Sequence, residues 1–200
     1  LRAPAMPKAT TLPAKYLANL GFAPTGAQQR VGNEIAYDLS QHEPMLRLIQ
    51  GDVGAGKTVV AALAALQALE AGYQVALMAP TEILATQHYL SARRILEKSL
   101  RKYRITLLTG SLDDDLKRLA RSRIYEGETD LVIGTHALIE EKVEFANLGL
   151  VVVDEQHRFG VLQRFRLMKK DGAEPDVLVM TATPIPRTLS LTAYGDMDVS

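Results

Sequence analysis

Short apolar runs of strand length alternate with longer amphipathic stretches along most of this 200-residue chain. Met45 to Gln50, Gln74 to Ala79, Ile105 to Leu108, Leu131 to Ile133, Leu148 to Val153 and Val177 to Met180 are the apolar runs. Several of them, Leu148 to Val153 above all, carry no polar face, which is the pattern of strands buried on both sides. Between them, Thr25 to Leu39, Thr58 to Ala71, the segment from Glu82 and Leu112 to Ile124 have helical length and spacing, and Gly72 is placed to cap the second of these. Repeated strand–helix alternation with doubly buried strands predicts an α/β fold, a mostly parallel sheet with helices on both faces. Ahead of it, Pro4, Pro7, Pro13 and Pro24 mark residues 1–21 as a lead-in or linker with one helix at Ala14 to Leu20, so that 22–200 form the main domain. Ser111 with Asp114 three residues on predicts a capping box, and this reading of Asp113-Asp114-Asp115 outweighs a metal cluster.

Composition narrows the picture only slightly. A chain 47% hydrophobic and 23% charged is ordinary for a globular α/β protein. There is no cysteine, which excludes disulfides and thiolate metal sites. His42, His88, His136 and His157 show no metal-binding spacing, so no zinc site is expected. No apolar run reaches membrane-spanning length and Leu1 to Lys8 lacks the apolar core of a signal peptide, so a cytoplasmic location is expected, with no membrane partner. The missing initiator Met suggests a cut from a longer protein. Lysine plus arginine balances aspartate plus glutamate at 23 each, which argues against a dedicated basic nucleic-acid module but permits a local phosphate-contacting edge.

The chemistry is concentrated after the first apolar run. Gly51-Asp52-Val53-Gly54-Ala55-Gly56-Lys57-Thr58 fits the phosphate-loop pattern G-x-x-x-x-G-K-[ST] without substitution. Gly51, Gly54, Ala55 and Gly56 let successive backbone N–H groups surround a phosphate. Lys57 reaches the β- and γ-phosphates, and the Thr58 hydroxyl suits Mg²⁺. Strand, loop and helix in that order place the phosphates at a helix N-terminus, so ATP or a related nucleoside triphosphate is the expected ligand. Leu148 to Val153 then runs into Asp154-Glu155-Gln156-His157. A carboxylate at the end of a buried strand lies where open α/β sheets bind ligands, so Asp154 is a candidate Mg²⁺ ligand and Glu155 a candidate base for the attacking water. Thr181-Ala182-Thr183-Pro184 follows another apolar run; its hydroxyls can hydrogen-bond a neighbouring carboxylate or its water. A phosphate-loop kinase and a non-catalytic nucleotide-gated module remain alternatives, although the first leaves the Thr181 to Leu189 string unexplained.

In order, these segments resemble the first, RecA-like motor lobe of a superfamily 2 helicase. Phe22 to Gln28 is similar to the adenine-reading Q motif, with Gln28 as the base contact. Ala79-Pro80-Thr81-Glu82, Thr109-Gly110 and Gly134-Thr135-His136 sit where such motors touch a nucleic-acid backbone, which implies contacts from Thr81, Gly110, Thr135 and His136. Gln156, His157, Thr181 and Thr183 would couple nucleotide state to that grip. The strings Gly51 to Gly54, Ala79 to Ala85, Asp154 to Gly160 and Thr181 to Leu189 are similar to those of the RecG family of branched-DNA helicases. The Mfd family of transcription-repair coupling translocases is the competitor; Gln156, where Mfd typically has Glu, favours RecG. The resemblance implies an ATP- and Mg²⁺-dependent double-stranded DNA translocase acting in repair and recombination on stalled forks and Holliday junctions. It also implies a second RecA-like lobe with an arginine finger and an N-terminal DNA-reading domain, both beyond residues 1–200, so the isolated 200 residues are expected to be nearly inactive.

Overall fold

A computed structural model describes residues 3–8, 11–20, 24–50, 55–154, 175–181 and 198–199, with the backbone alone given for Gln50, 55–57, 139–140, Thr181 and 198–199. In chain order the elements are α1 (Leu12–Ala18), α2 (Gly26–Leu39), β1 (Leu46–Gln50), α3 (Ala55–Glu70), β2 (Gln74–Met78), α4 (Glu82–Leu96), β3 (Ile105–Leu108), α5 (Asp114–Tyr125), β4 (Leu131–Gly134), α6 (Ala137–Glu140), β5 (Leu148–Asp154), β6 (Asp176–Thr181) and the short β7 (Asp198–Val199). The strands form one sheet in the order β3-β4-β2-β5-β6-β1-β7, and every pairing is parallel.

The apolar runs become strands because burial on both faces leaves no polar side to lose. All of β4 is buried, as are the five central residues of β5. On one face, Ile49, Val75, Ile133, Val152 and Leu178 meet residues of α1 to α4; on the other, Leu48, Val132, Val151 and Val177 meet α5, α6 and Phe145. Helices therefore cover both faces, as the alternation predicts. The helix ends follow local chemistry. Thr25 caps α2 through a reciprocal box: its hydroxyl accepts from Gln28 N–H while the Gln28 side chain accepts from Thr25 N–H. Gly72 takes φ +92 just past α3, and the bonds Gly72 N–H to Leu69 O and Tyr73 N–H to Ala68 O close that end as a Schellman motif.

The expectation for α5 needs correction. Its N-cap is Asp113, not Ser111, and Asp113 makes no side-chain capping bond. Ser111 is already engaged: Glu82 accepts from its backbone N–H and from its hydroxyl, both at 3.1 Å. Asp114 and Asp115 do stand in the first turn, where their charge suits the helix dipole.

The lead-in packs into the fold rather than along it. Met6 is fully buried, its carbonyl accepts from the buried Gln67 amide at 3.0 Å, and its methyl lies so close to Gly149 of β5 that a Cβ there would sit 2.6 Å away. Glu70 of α3 accepts from the N–H groups of Thr11 and Leu12 and so caps α1.

Candidate nucleotide and nucleic-acid edge

Parallel register brings the ends of distant segments together. Gln50 pairs with Thr181, Asp154 with Met180, Met78 with both Val153 and Gly134, and Leu108 with Gly134. The carboxyl ends of six strands thus share one edge of the sheet, the edge where open α/β folds bind ligands. Along it, in order, lie Thr109-Gly110 after β3, Thr135-His136 after β4, Thr81 after β2, Asp154 ending β5, Thr181 ending β6, and the start of α3 at Ala55, the element that follows β1. The edge divides in two. Apart from Gln28 on α2, the described residues with nucleotide-type chemistry follow β5, β6 or β1, and the candidate backbone contacts follow β3, β4 or β2.

On the nucleotide half, α3 begins at Ala55, so Ala55, Gly56, Lys57 and Thr58 form its first turn, where backbone N–H groups have no partner within the helix. Thr58 is exposed. Asp154 is 30% exposed on its side chain, and its Oδ2 lies 2.9 Å from Nε2 of His88 on α4. A carboxylate oxygen accepts, so Nε2 carries the bridging proton. Thr58 and Asp154 offer hard oxygen donors, the type that Mg²⁺ takes. Gln28 lies half-buried and, with Pro24, Gly32, Val59 and Leu63, lines a pocket of about 420 Å³ beside the first turns of α3. Its carbonyl serves the α2 cap, which fixes the side chain in place. Gly51, Gly54, Glu155, Gln156, His157 and Thr183 lie outside the described residues, as do the side chains of Lys57 and Thr181.

On the other half, Thr81 is exposed and caps α4, its hydroxyl accepting from Leu84 N–H at 3.2 Å. Gly110 is exposed, and nothing lies within 4 Å of where its Cβ would be. Glu82 clasps Ser111, which ties the start of α4 to the Gly110 loop. Thr135 caps the short α6, accepting from Ala137 N–H at 3.4 Å. His136 is half-buried, with Nε2 shielded from solvent. Gly134 has no room for a side chain, because a Cβ would run into the Leu108 carbonyl.

Comparison with known proteins agrees with this layout. The family model for DEAD/DEAH box helicases matches residues 25–192. The chain belongs to the DEAD/DEAH box helicase family. Among helicases, it is 57% identical over 182 residues to the ATP-dependent DNA helicase RecG of Streptococcus pneumoniae, covering 91% of this chain and 26% of that protein. It is 52% identical over 189 residues to RecG of Aquifex aeolicus, covering 93% of this chain and 23% of that protein. The chain thus spans about a quarter of the length of the curated relatives it matches. A solved structure of RecG bound to a three-way DNA junction superposes with a TM-score of 0.80 at 47% identity, covering 98% of this chain and 26% of that one. The resemblance to the RecG motor lobe holds at these identities, and they favour RecG over Mfd. A DEAD-box helicase, Mss116 bound to single-stranded RNA and UDP-BeF, superposes at TM-score 0.74 with 17% identity, which bears on the fold alone.

His88 escaped the sequence reading, because it lacks metal spacing. Glu82 belongs to the Ala79-Pro80-Thr81-Glu82 string, but its bonds to Ser111 show only in the fold. The usable signal for His88 was its distance from Thr81: seven residues is close to two helical turns, which returns to the same face.

Proposed function

We propose that residues 22–200 are the ATP-binding first motor lobe of a RecG-type helicase, an ATP-dependent double-stranded DNA translocase acting on forks and Holliday junctions in repair and recombination. The observation that carries the reading is the shared sheet edge, with nucleotide chemistry on one half and candidate phosphate-backbone contacts on the other. The identities to RecG proteins, which are named as ATP-dependent DNA helicases, support it. Under this reading the backbone N–H groups from Gly51, Gly54, Ala55 and Gly56 hold phosphates at the α3 N-terminus, with Lys57 adding a point charge. Thr58 and Asp154 would hold Mg²⁺, which when bound offsets negative charge on the phosphate oxygens. Glu155 orients and deprotonates water, and Gln28 reads the adenine. Thr81, Gly110, Thr135 and His136 grip the DNA backbone, contacts that fix position without reading sequence. Gln156, His157, Thr181 and Thr183 couple the two.

A second RecA-like lobe of the same polypeptide completes the cleft and brings an arginine finger, an addition worth about 10³- to 10⁵-fold in related chemistry. Residues 1–200 alone therefore hydrolyse little ATP. Within them, residues 1–21 form a segment preceding the motor. No described helix is long and apolar enough to cross a membrane; under this reading the protein acts on DNA in the cytoplasm. The test is steady-state ATP hydrolysis by the full-length protein with forked DNA, linear duplex or no DNA. Strong preference for forks is expected; equal stimulation by linear duplex would refute the RecG-type reading and favour the Mfd type.

A further inference from the structure

The two halves of the sheet edge meet between β2 and β5, and one side-chain contact crosses that boundary. His88 projects from α4, the helix that follows β2, and its Nε2 donates to Asp154 Oδ2 at 2.9 Å across to the end of β5. The same helix starts at Thr81, an exposed candidate for backbone contact, and its Glu82 carboxylate holds Ser111 beside Gly110. Helix α4 is therefore tied at its start to two candidate DNA contacts and, two turns later, to a candidate metal acid. A fifteen-residue α-helix transmits displacement along its length, because each turn is held by its own hydrogen bonds.

The surroundings of His88 sharpen its role. Its side chain is 20% exposed and lines an apolar cavity of about 100 Å³ between α3 and α4, together with Thr58, Ala61, Ala92 and Val152. Of the two candidate Mg²⁺ ligands, Asp154 is hydrogen-bonded to His88 and Thr58 lines the same cavity. The walls are mostly apolar, with Thr58 and Ser91 as the hydroxyl-bearing members, and the hydrogen bond that the ring makes is the one to Asp154. One carboxylate oxygen is held by His88, and no hydrogen bond to the other is made among the described residues. Groups that hold a metal-binding carboxylate in this way fix its orientation, and their loss weakens metal binding.

We infer that His88 is a positioning residue for Mg²⁺·nucleotide in this lobe, orienting Asp154 and linking it through α4 to the DNA-gripping end at Thr81 and Gly110. This rests on the nucleotide and DNA reading proposed above. The link has a direct consequence: DNA bound at the start of α4 changes how firmly Asp154 is held, and so stimulates turnover.

The test uses the full-length protein with His88→Ala, His88→Phe and His88→Gln. Phenylalanine keeps the apolar cavity wall filled but cannot donate; glutamine has an amide N–H that can reach the same carboxylate. Binding of Mn²⁺ to the ADP complex, followed by electron paramagnetic resonance, reads the metal site without turnover, and ATP hydrolysis with and without forked DNA reads the coupling. The expected result is an Mn²⁺ dissociation constant raised about 10- to 100-fold in His88→Phe, a reduced ratio of DNA-stimulated to unstimulated hydrolysis, and recovery of both in His88→Gln. His88→Ala should follow His88→Phe; if alanine prevents folding, the phenylalanine and glutamine variants decide. Mn²⁺ affinity unchanged or tighter in His88→Phe, or glutamine as defective as phenylalanine, overturns the inference. Wild-type protein that binds no Mn²⁺·ADP overturns the nucleotide reading and this inference with it, whereas normal wild-type binding with normal variants overturns the role of His88 alone.

Discussion

Replacing Asp176 with asparagine tests whether burial governs a carboxyl group at the edge of the sheet opposite the ligand edge. Asp176 begins β6, is 0% exposed, and accepts a hydrogen bond from Met45 N–H through Oδ1 at 2.6 Å. Its Oδ2 has no hydrogen-bond partner among the described residues. Burial, reinforced by the nearby Asp38 carboxylate and only partly countered by the Met45 bond, pushes its pKa up from 3.8 to about 8. An acid whose folded pKa is raised contributes stability that is complete below the unfolded value. That contribution is lost as pH rises, until the folded group has ionised. Here the window runs from about pH 4 to about pH 8. At about 1.4 kcal/mol per unit, the loss between pH 5 and pH 8 is on the order of 4 kcal/mol. Asparagine keeps the acceptor for Met45 and cannot ionise. Its NH₂ takes the unpartnered position, a cost of about 1–3 kcal/mol that a protonated Oδ2 shares. Urea denaturation followed by circular dichroism should therefore find the two proteins similar near pH 5, with Asp176→Asn more stable by roughly 2–4 kcal/mol near pH 8.5. Curves of stability against pH that run parallel, or a variant less stable at high pH, would refute the assignment of a neutral buried carboxyl to Asp176.

Three further outcomes are expected. Lys57→Ala in the full-length protein should abolish ATP-driven fork remodelling while leaving DNA binding intact; remodelling that persists in a strand-exchange gel assay counts against Lys57 as the phosphate lysine. Met6→Ala should cost about 2–5 kcal/mol in urea denaturation, since Met6 is fully buried and leaves a cavity against Gly149 and Tyr73; a loss below that range would mark residues 1–21 as a loosely attached linker. Gly134→Ala should cost roughly 1–3 kcal/mol or more by the same assay, because its methyl group meets the Leu108 carbonyl and Leu138, 3.0 Å away; an unaffected midpoint would show that β3 and β4 can separate freely.

Much of the fold was legible because doubly buried strands leave an unbroken apolar signature. Ile105 to Leu108 was placed to the residue, and β1, β2, β4, β5 and β6 to within one. The phosphate-loop and Asp154-Glu155 readings rest on a different signal: their chemistry needs a fixed spacing along the chain. What sequence concealed was contact across the sheet. Ser111 looked like a cap for its own helix, and only the fold brings Glu82 to its hydroxyl from 29 residues away. His88 and Asp154 are 66 residues apart, and no local pattern announces a bond over that distance. The proline-rich start looked like a tether because proline breaks helices, yet Met6 and Glu70 make part of it core. Asp176 drew no notice in the sequence, and only its burial in the fold reveals a carboxyl group whose pKa is raised.

Strand order also bears on how this lobe comes into being. β1, which leads into the phosphate-loop segment, has no sheet neighbour close to it in sequence; it is flanked by β6 and β7, and the bond that pins its start spans 131 residues. During synthesis β2, β4 and β5 can assemble while β1 still waits for its partners to leave the ribosome. Because closing so long a loop is slow, the nucleotide half of the edge is expected to be completed last. A nascent chain interrupted before Asp176 would already hold the candidate DNA-gripping half without a finished motor beside it.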